Sequence, residues 1–176
     1  GKKMHGNKYL LTDVLKSQMG FNGFIVGDWN GHGQIPGCED TNCPDALISG
    51  VDIFMVPTEW ESLYWNTLDQ VENGIIPIER LNDAVRRILR IKYRSDLMNN
   101  PMADRTLLDK VGSAEHKAIA REAVQKSLVL LKNDGILPLS NSNHYFVTGS
   151  GADDIGKQCG GWTIEWQGSL GNITSG

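Results

Sequence analysis

The chain has 176 residues, 40% of them hydrophobic and 22% charged, with a net charge of −4. That composition describes globular material rather than a disordered tail. The charge is too mild to suggest binding to nucleic acid or an anionic membrane, and no run of about 18 apolar residues is present to span a bilayer.

The first residues, "GKKMHGN", are followed by no apolar h-region, so no signal peptide is visible. His5 in this stretch reads as a loop residue or as a residue lining a site, and Asn7 as a helix cap. "NKYLLTDVLKSQMG" predicts an amphipathic helix: Leu11, Val14, Leu15 and Met19 recur at helical spacing, and Gly20 stops it. After the turn "FNG", the wholly apolar "FIV" at 24–26 predicts a parallel strand covered on both faces. A loop from Trp29 to Pro44 follows, then a short helix in "DALISG". A second apolar strand, "VDIFMVP", is ended by Pro57, and residues 59–73 are expected to be helical. "PIERLNDAVRRILRIKYRS" is the clearest helix, with Pro77 near its start, Glu79 in the first turn and a stripe of Leu81, Ala84, Val85, Ile88 and Leu89.

That alternation predicts an α/β fold with a parallel sheet. Residues 97–112 read as a surface linker. Ser113 then caps a helix, "AEHKAIAREAVQKS", leading into the expected strands "LVLLKN" and "HYFVTGSG". The tail "CGGWTIEWQGSLGNITSG" reads as a loop rich in Gly and Trp. Neither α/β unit looks complete, so the chain is expected to be a piece of something larger at both ends.

Three clusters could carry chemistry. Asp28 directly follows an apolar parallel strand, and in α/β folds ligands bind at the carboxyl ends of such strands. A carboxylate there can serve as nucleophile, base or metal ligand, or simply cap a turn. Trp29 beside it, and Trp162 and Trp166 in the glycine-rich tail, offer flat apolar platforms of the kind on which the C–H faces of sugar rings stack. Asp52 begins its strand rather than ending it and reads as structural. "VTGSGADD" resembles the start of a dinucleotide fingerprint, but Asp154 stands where the third glycine belongs, and "IGKQCGGW" reads as loop, so nucleotide binding is disfavoured. The C-x4-C pair Cys38 and Cys43 favours a disulfide or free thiols over a metal site, although Asp40 and His32 lie nearby. His116 and His144 read as surface residues.

"GFIVGDWNG" resembles the nucleophile segment of glycoside hydrolase family 3, usually G-F-x-[VI]-[ST]-D-W. "VDIFMVP", "NGIIPIERLNDAVRRILRIKY", "EHKAIAREAVQKSLVLLKN" and "QCGGWTIEWQG" are similar to further segments of that family, in its order. "GGWTIxWQG" is distinctive of its exo-β-glucanase and β-glucosidase branch. The resemblance covers nearly all of the chain.

It implies that residues 1–96 form the C-terminal part of a (β/α)8-like barrel and 97–112 a linker. Residues 113–176 would start an α/β sandwich. Asp28 would be the catalytic nucleophile of a retaining β-glucosidase or exo-β-glucanase. Trp29 and Trp162 would clamp the sugar of the adjacent subsite, and Met55 would line the glucose pocket. No cofactor and no metal are implied. The expected partner is a β-glucan or β-glucoside, with neither nucleic acid nor membrane, and the expected location is periplasmic or extracellular. The branch's acid/base glutamate lies beyond the GGW segment, so Glu165 is not its equivalent. Likewise, "KKMHGN" is not the family's upstream Lys-His pair but resembles a later loop. Two positions depart from the pattern: Gly27 replaces the usual Ser or Thr, and Gln34 stands where this branch often has Arg. The competing expectation is a carbohydrate-binding α/β domain without catalysis, which would keep the indoles but not need Asp28.

Overall fold

A computed structural model describes residues 3–172, which divide into two compact units, Gly1–Leu108 and Asp109–Gly176. The first is a small α/β unit. It holds a parallel strand pair, β1 (Val26–Trp29) and β2 (Ile53–Met55), and the helices α1 (Pro44–Ser49), α2 (Trp60–Glu72) and α3 (Ile78–Arg94). Pro44 and Pro77 stand at the starts of α1 and α3, where a missing N–H costs nothing. The stripe of Leu81, Ala84, Val85 and Ile88 faces an apolar groove beside α2 and β2. The core is built from Leu11, Ile35, Cys43, Ala46 and Val51, with Ile25, Cys38 and Phe54 packed on it.

The helix expected over residues 7–20 is present, but Tyr9–Gln18 is a π-helix rather than an α-helix. Its last turn closes with the Met19 N–H donating to the Val14 carbonyl, five residues back, at 2.9 Å. In an α-helix, residues five apart point about 140° away from one another. The wider register puts Leu11 and Lys16 on one buried face. Burial of Lys16 is what the altered register achieves, because the ammonium reaches Asp52 at 2.8 Å.

The first strand also differs from expectation. Pairing starts at Val26 and runs through Asp28 to Trp29, so Asp28 lies within β1 rather than after it. The strands are not sealed on both faces, since Val26 is exposed. The register pairs Val26 with Ile53 and Trp29 with Met55: between these pairs, Gly27 and Asp28 of β1 are matched against Phe54 alone of β2. The extra residue makes a bulge at Gly27–Asp28, a device that re-aims a side chain.

In the second unit, α4 (Ala114–Ser127) begins as expected, with the Ser113 hydroxyl accepting the His116 N–H at 3.3 Å. The strands expected in 128–133 and 144–151 do not form. Strands exist by pairing, and no ladder partner meets these segments; Leu131 and Phe146 are almost fully exposed. The stretch read as loop after Asp154 instead contains a short helix, α5 (Ile155–Cys159). Asp154 accepts the Lys157 and Gly171 N–H groups at 2.9 and 2.8 Å. Its carboxylate caps that helix start. Among the described residues no helix is long and apolar enough to cross a membrane.

Candidate active site

The two ends of the β1–β2 pair hold very different groups. At the carboxyl end, the bulge presents Asp28 to solvent, and Trp29 and Met55, paired across the strands, stand 65% and 41% exposed. The backbone around Asp28 is tied at several points. Its N–H donates to His5 Nε2 at 2.9 Å, its carbonyl accepts the Gly31 N–H at 2.9 Å, and its Oδ1 accepts the Trp29 N–H at 2.7 Å. The Asn30 N–H donates to the Met55 carbonyl at 3.0 Å, which locks the turn after β1 onto β2. No cation forms an ion pair with Asp28 among the described residues. A carboxylate held by its own backbone, with one oxygen engaged by a single amide, is suited to attack or to proton transfer. Gly27 leaves room: a Cβ added there would meet the His5 ring and the Ile53 carbonyl only at 3.5 Å.

The loop after β1 is braced from three sides. Cys38 and Cys43 form a disulfide, which resolves the alternatives left by their spacing. From α2, Asn66 donates to the Thr41 carbonyl at 2.8 Å and Gln70 to the Asn42 side chain at 2.6 Å. His32 is buried, its Nε2 within 2.8 Å of the Asp40 carbonyl and its ring edge-on to Phe54. With Asp40 it forms no metal-binding cluster among the described residues. Gln34 accepts a hydrogen bond from Lys3.

At the amino end, Asp52 precedes β2, buried, as its position in the sequence suggested. It accepts from Lys16 at 2.8 Å, from Arg80, and from the Ile25 N–H at 2.8 Å. Arg80 also donates to the Leu47 carbonyl and pairs with Asp83, which in turn binds Arg87 at 3.0 Å. Burial pushes the Lys16 ammonium below its ordinary range, with Asp52 opposing the shift. For Asp83, partial burial acts upward but is outweighed by Arg87, Arg80 and Lys16, which hold the carboxyl low. The groove beside α2, of about 600 Å³, is lined by apolar groups such as Phe54, Trp60, Tyr64 and Val85, with Asp52 at one edge. Asp28, Trp29 and Met55 do not line it, and it brings no convergent reactive groups together.

In the second unit, Trp162 is 83% exposed in the loop after the Gly160–Gly161 bend. Its φ is +65°, a backbone strain rare for a bulky residue. The loop is closed by the Trp162 N–H donating to the Trp166 carbonyl at 3.1 Å, and Trp166 is likewise exposed. Glu165 is exposed.

The structure thus brings Asp28, Trp29 and Met55 to one strand end. Sequence reasoning left His5 open between a loop residue and a residue lining a site; the structure sets it against the Asp28 amide.

A parallel strand pair flanked by helices, with an exposed carboxylate and an indole at its carboxyl end, makes this unit a small α/β piece. The model of the glycosyl hydrolase family 3 N-terminal domain matches residues 1–91, and the chain belongs to that family. The chain is 32% identical to a lysosomal beta glucosidase of Dictyostelium discoideum, over 96% of this chain and 22% of the relative. It is 33% identical to a periplasmic beta-glucosidase of Salmonella typhimurium, over 93% of this chain and 22% of the relative. Among solved structures it resembles the exo-1,3/1,4-beta-glucanase ExoP of a Pseudoalteromonas species. There the TM-score is 0.84 and the identity 49%, over 95% of this chain and 21% of that one. The chain therefore spans about a fifth of the length of these relatives.

Proposed function

We propose that these residues supply the nucleophile side of a retaining β-glucosidase or exo-β-glucanase that releases glucose from the non-reducing end of β-glucans or β-glucosides. The observation that carries this is Asp28, exposed in the bulge of β1 with Trp29 and Met55 beside it. Asp28 attacks the anomeric carbon and expels the leaving group, and water then resolves the glycosyl ester. By the family resemblance, the acid/base that protonates the leaving oxygen lies beyond the GGW segment, and Glu165 is not its equivalent. Met55 lines the glucose pocket, and Trp29 and Trp162 are exposed indoles of the kind on which sugar rings stack. Residues 1–96 belong to the end of a (β/α)8-like barrel, 97–112 to a linker and 113–176 to the start of an α/β sandwich. The Cys38–Cys43 disulfide and the periplasmic relatives support a periplasmic or extracellular location.

The test is covalent trapping. The protein carrying this chain, treated with a 2-deoxy-2-fluoro β-glucoside and digested, should yield a peptide with one sugar esterified to Asp28. Sugar binding without turnover or label would favour the non-catalytic carbohydrate-binding domain instead.

A further inference from the structure

His5 touches the proposed nucleophile, yet the chemistry above gives it no task. It lies in the short 3-10 turn Met4–Gly6 and accepts the Asp28 N–H at 2.9 Å through Nε2. A backbone N–H can only donate, so Nε2 carries no hydrogen and the ring proton resides on Nδ1. Nδ1 is buried without a hydrogen-bond partner among the described residues. The ring is seated closely on the strand end. A Cβ added to Gly31 would overlap the imidazole, so the absence of a side chain there makes the slot. A second proton on the ring would set two donors head to head and break the contact with Asp28.

We propose that His5 is a positioning residue for Asp28, holding the peptide of the bulge in place while the imidazole is neutral. The inference rests on Asp28 being the nucleophile. The charged and titratable groups facing the ring are Lys3 from its own turn, Asp28 from β1 and His32 from the turn after it. Burial, then the Lys3 charge, disfavour the imidazolium, and Asp28 opposes them, so the ring stays neutral below its ordinary value of 6.5. With the folded-state value depressed, the His5 contribution is whole above 6.5 and is lost as pH falls through the folded-state value.

The test uses His5→Ala and His5→Gln in the protein carrying this chain. A glutamine amide oxygen can accept where Nε2 does, without titrating. His5→Ala should lower kcat roughly tenfold with little change in KM, and speed hydrogen exchange of the Asp28 amide by a similar factor at equal pH. His5→Gln should restore most of both, and should flatten the decline of kcat expected of the unsubstituted protein as pH falls below 6.5. Unchanged exchange at Asp28 in His5→Ala overturns the proposal, as does a glutamine variant no better than alanine. If the unsubstituted protein hydrolyses no β-glucoside, the reading of Asp28 as nucleophile falls. Loss of the exchange effect alone sinks the role of His5 and leaves that reading standing.

Discussion

Each end of the β1–β2 pair carries an aspartate, and the two live in opposite surroundings. Asp52, at the amino end, is buried and spends its oxygens on Lys16, Arg80 and the Ile25 amide. Asp28, at the carboxyl end, is exposed, meets only backbone amides and a histidine, and has an indole beside it. A carboxylate saturated by cations steadies the strands and is unavailable for chemistry. One that gives a single oxygen to a backbone amide keeps the other free for a substrate. Type and strand adjacency are shared, so the partners decide the role.

The sharpest way to break this contrast is to neutralise both aspartates. Asp28→Asn in the protein carrying this chain should lower aryl β-glucoside turnover by at least about 10⁴-fold, because an amide cannot form the ester intermediate. Its unfolding midpoint should hardly move. Near-normal turnover would make Asp28 a turn residue. Asp52→Asn should retain turnover.

Removing the Asp52 side chain tests the other end. Asp52→Ala leaves the buried Lys16 and Arg80 with only the partly exposed Asp83 as a carboxylate partner, and urea unfolding should report a loss of up to about 3–5 kcal/mol. A loss under about 1 kcal/mol would show that the network is as dispensable as an exposed ion pair.

Sequence alone revealed the contrast only in part. The position of Asp52 before its strand and of Asp28 near the other strand's end were legible, because strand direction follows from apolar runs and their flanking turns. The stripe on α3 was legible for the same reason, since it repeats at helical spacing. The bulge was not. It arises from a mismatch between two strands 27 residues apart, Val26 against Ile53, and neither strand's own pattern records it. The π-register of Tyr9–Gln18 escaped likewise, because the lysine it buries needs a partner 36 residues on. In the second unit, apolar runs were read as strands, but a run becomes a strand only when another meets it. At the site, Asp28, Trp29 and Met55 were named from the chain, whereas His5 was left open between loop and site until its contact with the Asp28 amide placed it.

Smaller effects refine the exposed end. Trp29→Ala should weaken oligosaccharide cleavage by about 1–3 kcal/mol in kcat/KM terms, as for other stacking contacts, and aryl-glucoside cleavage by less. Trp162→Ala should show the same ordering. Equal losses on both substrates would remove the indoles from the leaving-sugar side.

The smallest effect belongs to the rim of the buried end. The Asp83 carboxyl is held below 3.8 despite partial burial. Its contribution is therefore present above 3.8 and fades as pH falls through the folded-state value. Asp83→Asn should flatten the acid side of the stability–pH curve slightly, since the side chain is 41% exposed and solvent screens it. An unchanged curve would confine the electrostatics to Asp52.

The arginines of α3 also set a timetable for synthesis. Arg87 donates to the Phe21 and Gly23 carbonyls and Arg90 to that of Asn22, contacts spanning 64 to 68 residues. At roughly 5–20 residues per second, a ribosome needs about 3–14 s to reach those arginines after laying down Phe21, Asn22 and Gly23. Throughout that interval "GFIVGDW" leaves the exit tunnel without the clamps that seat it. Over that interval its apolar residues are open to a chaperone that binds short apolar segments.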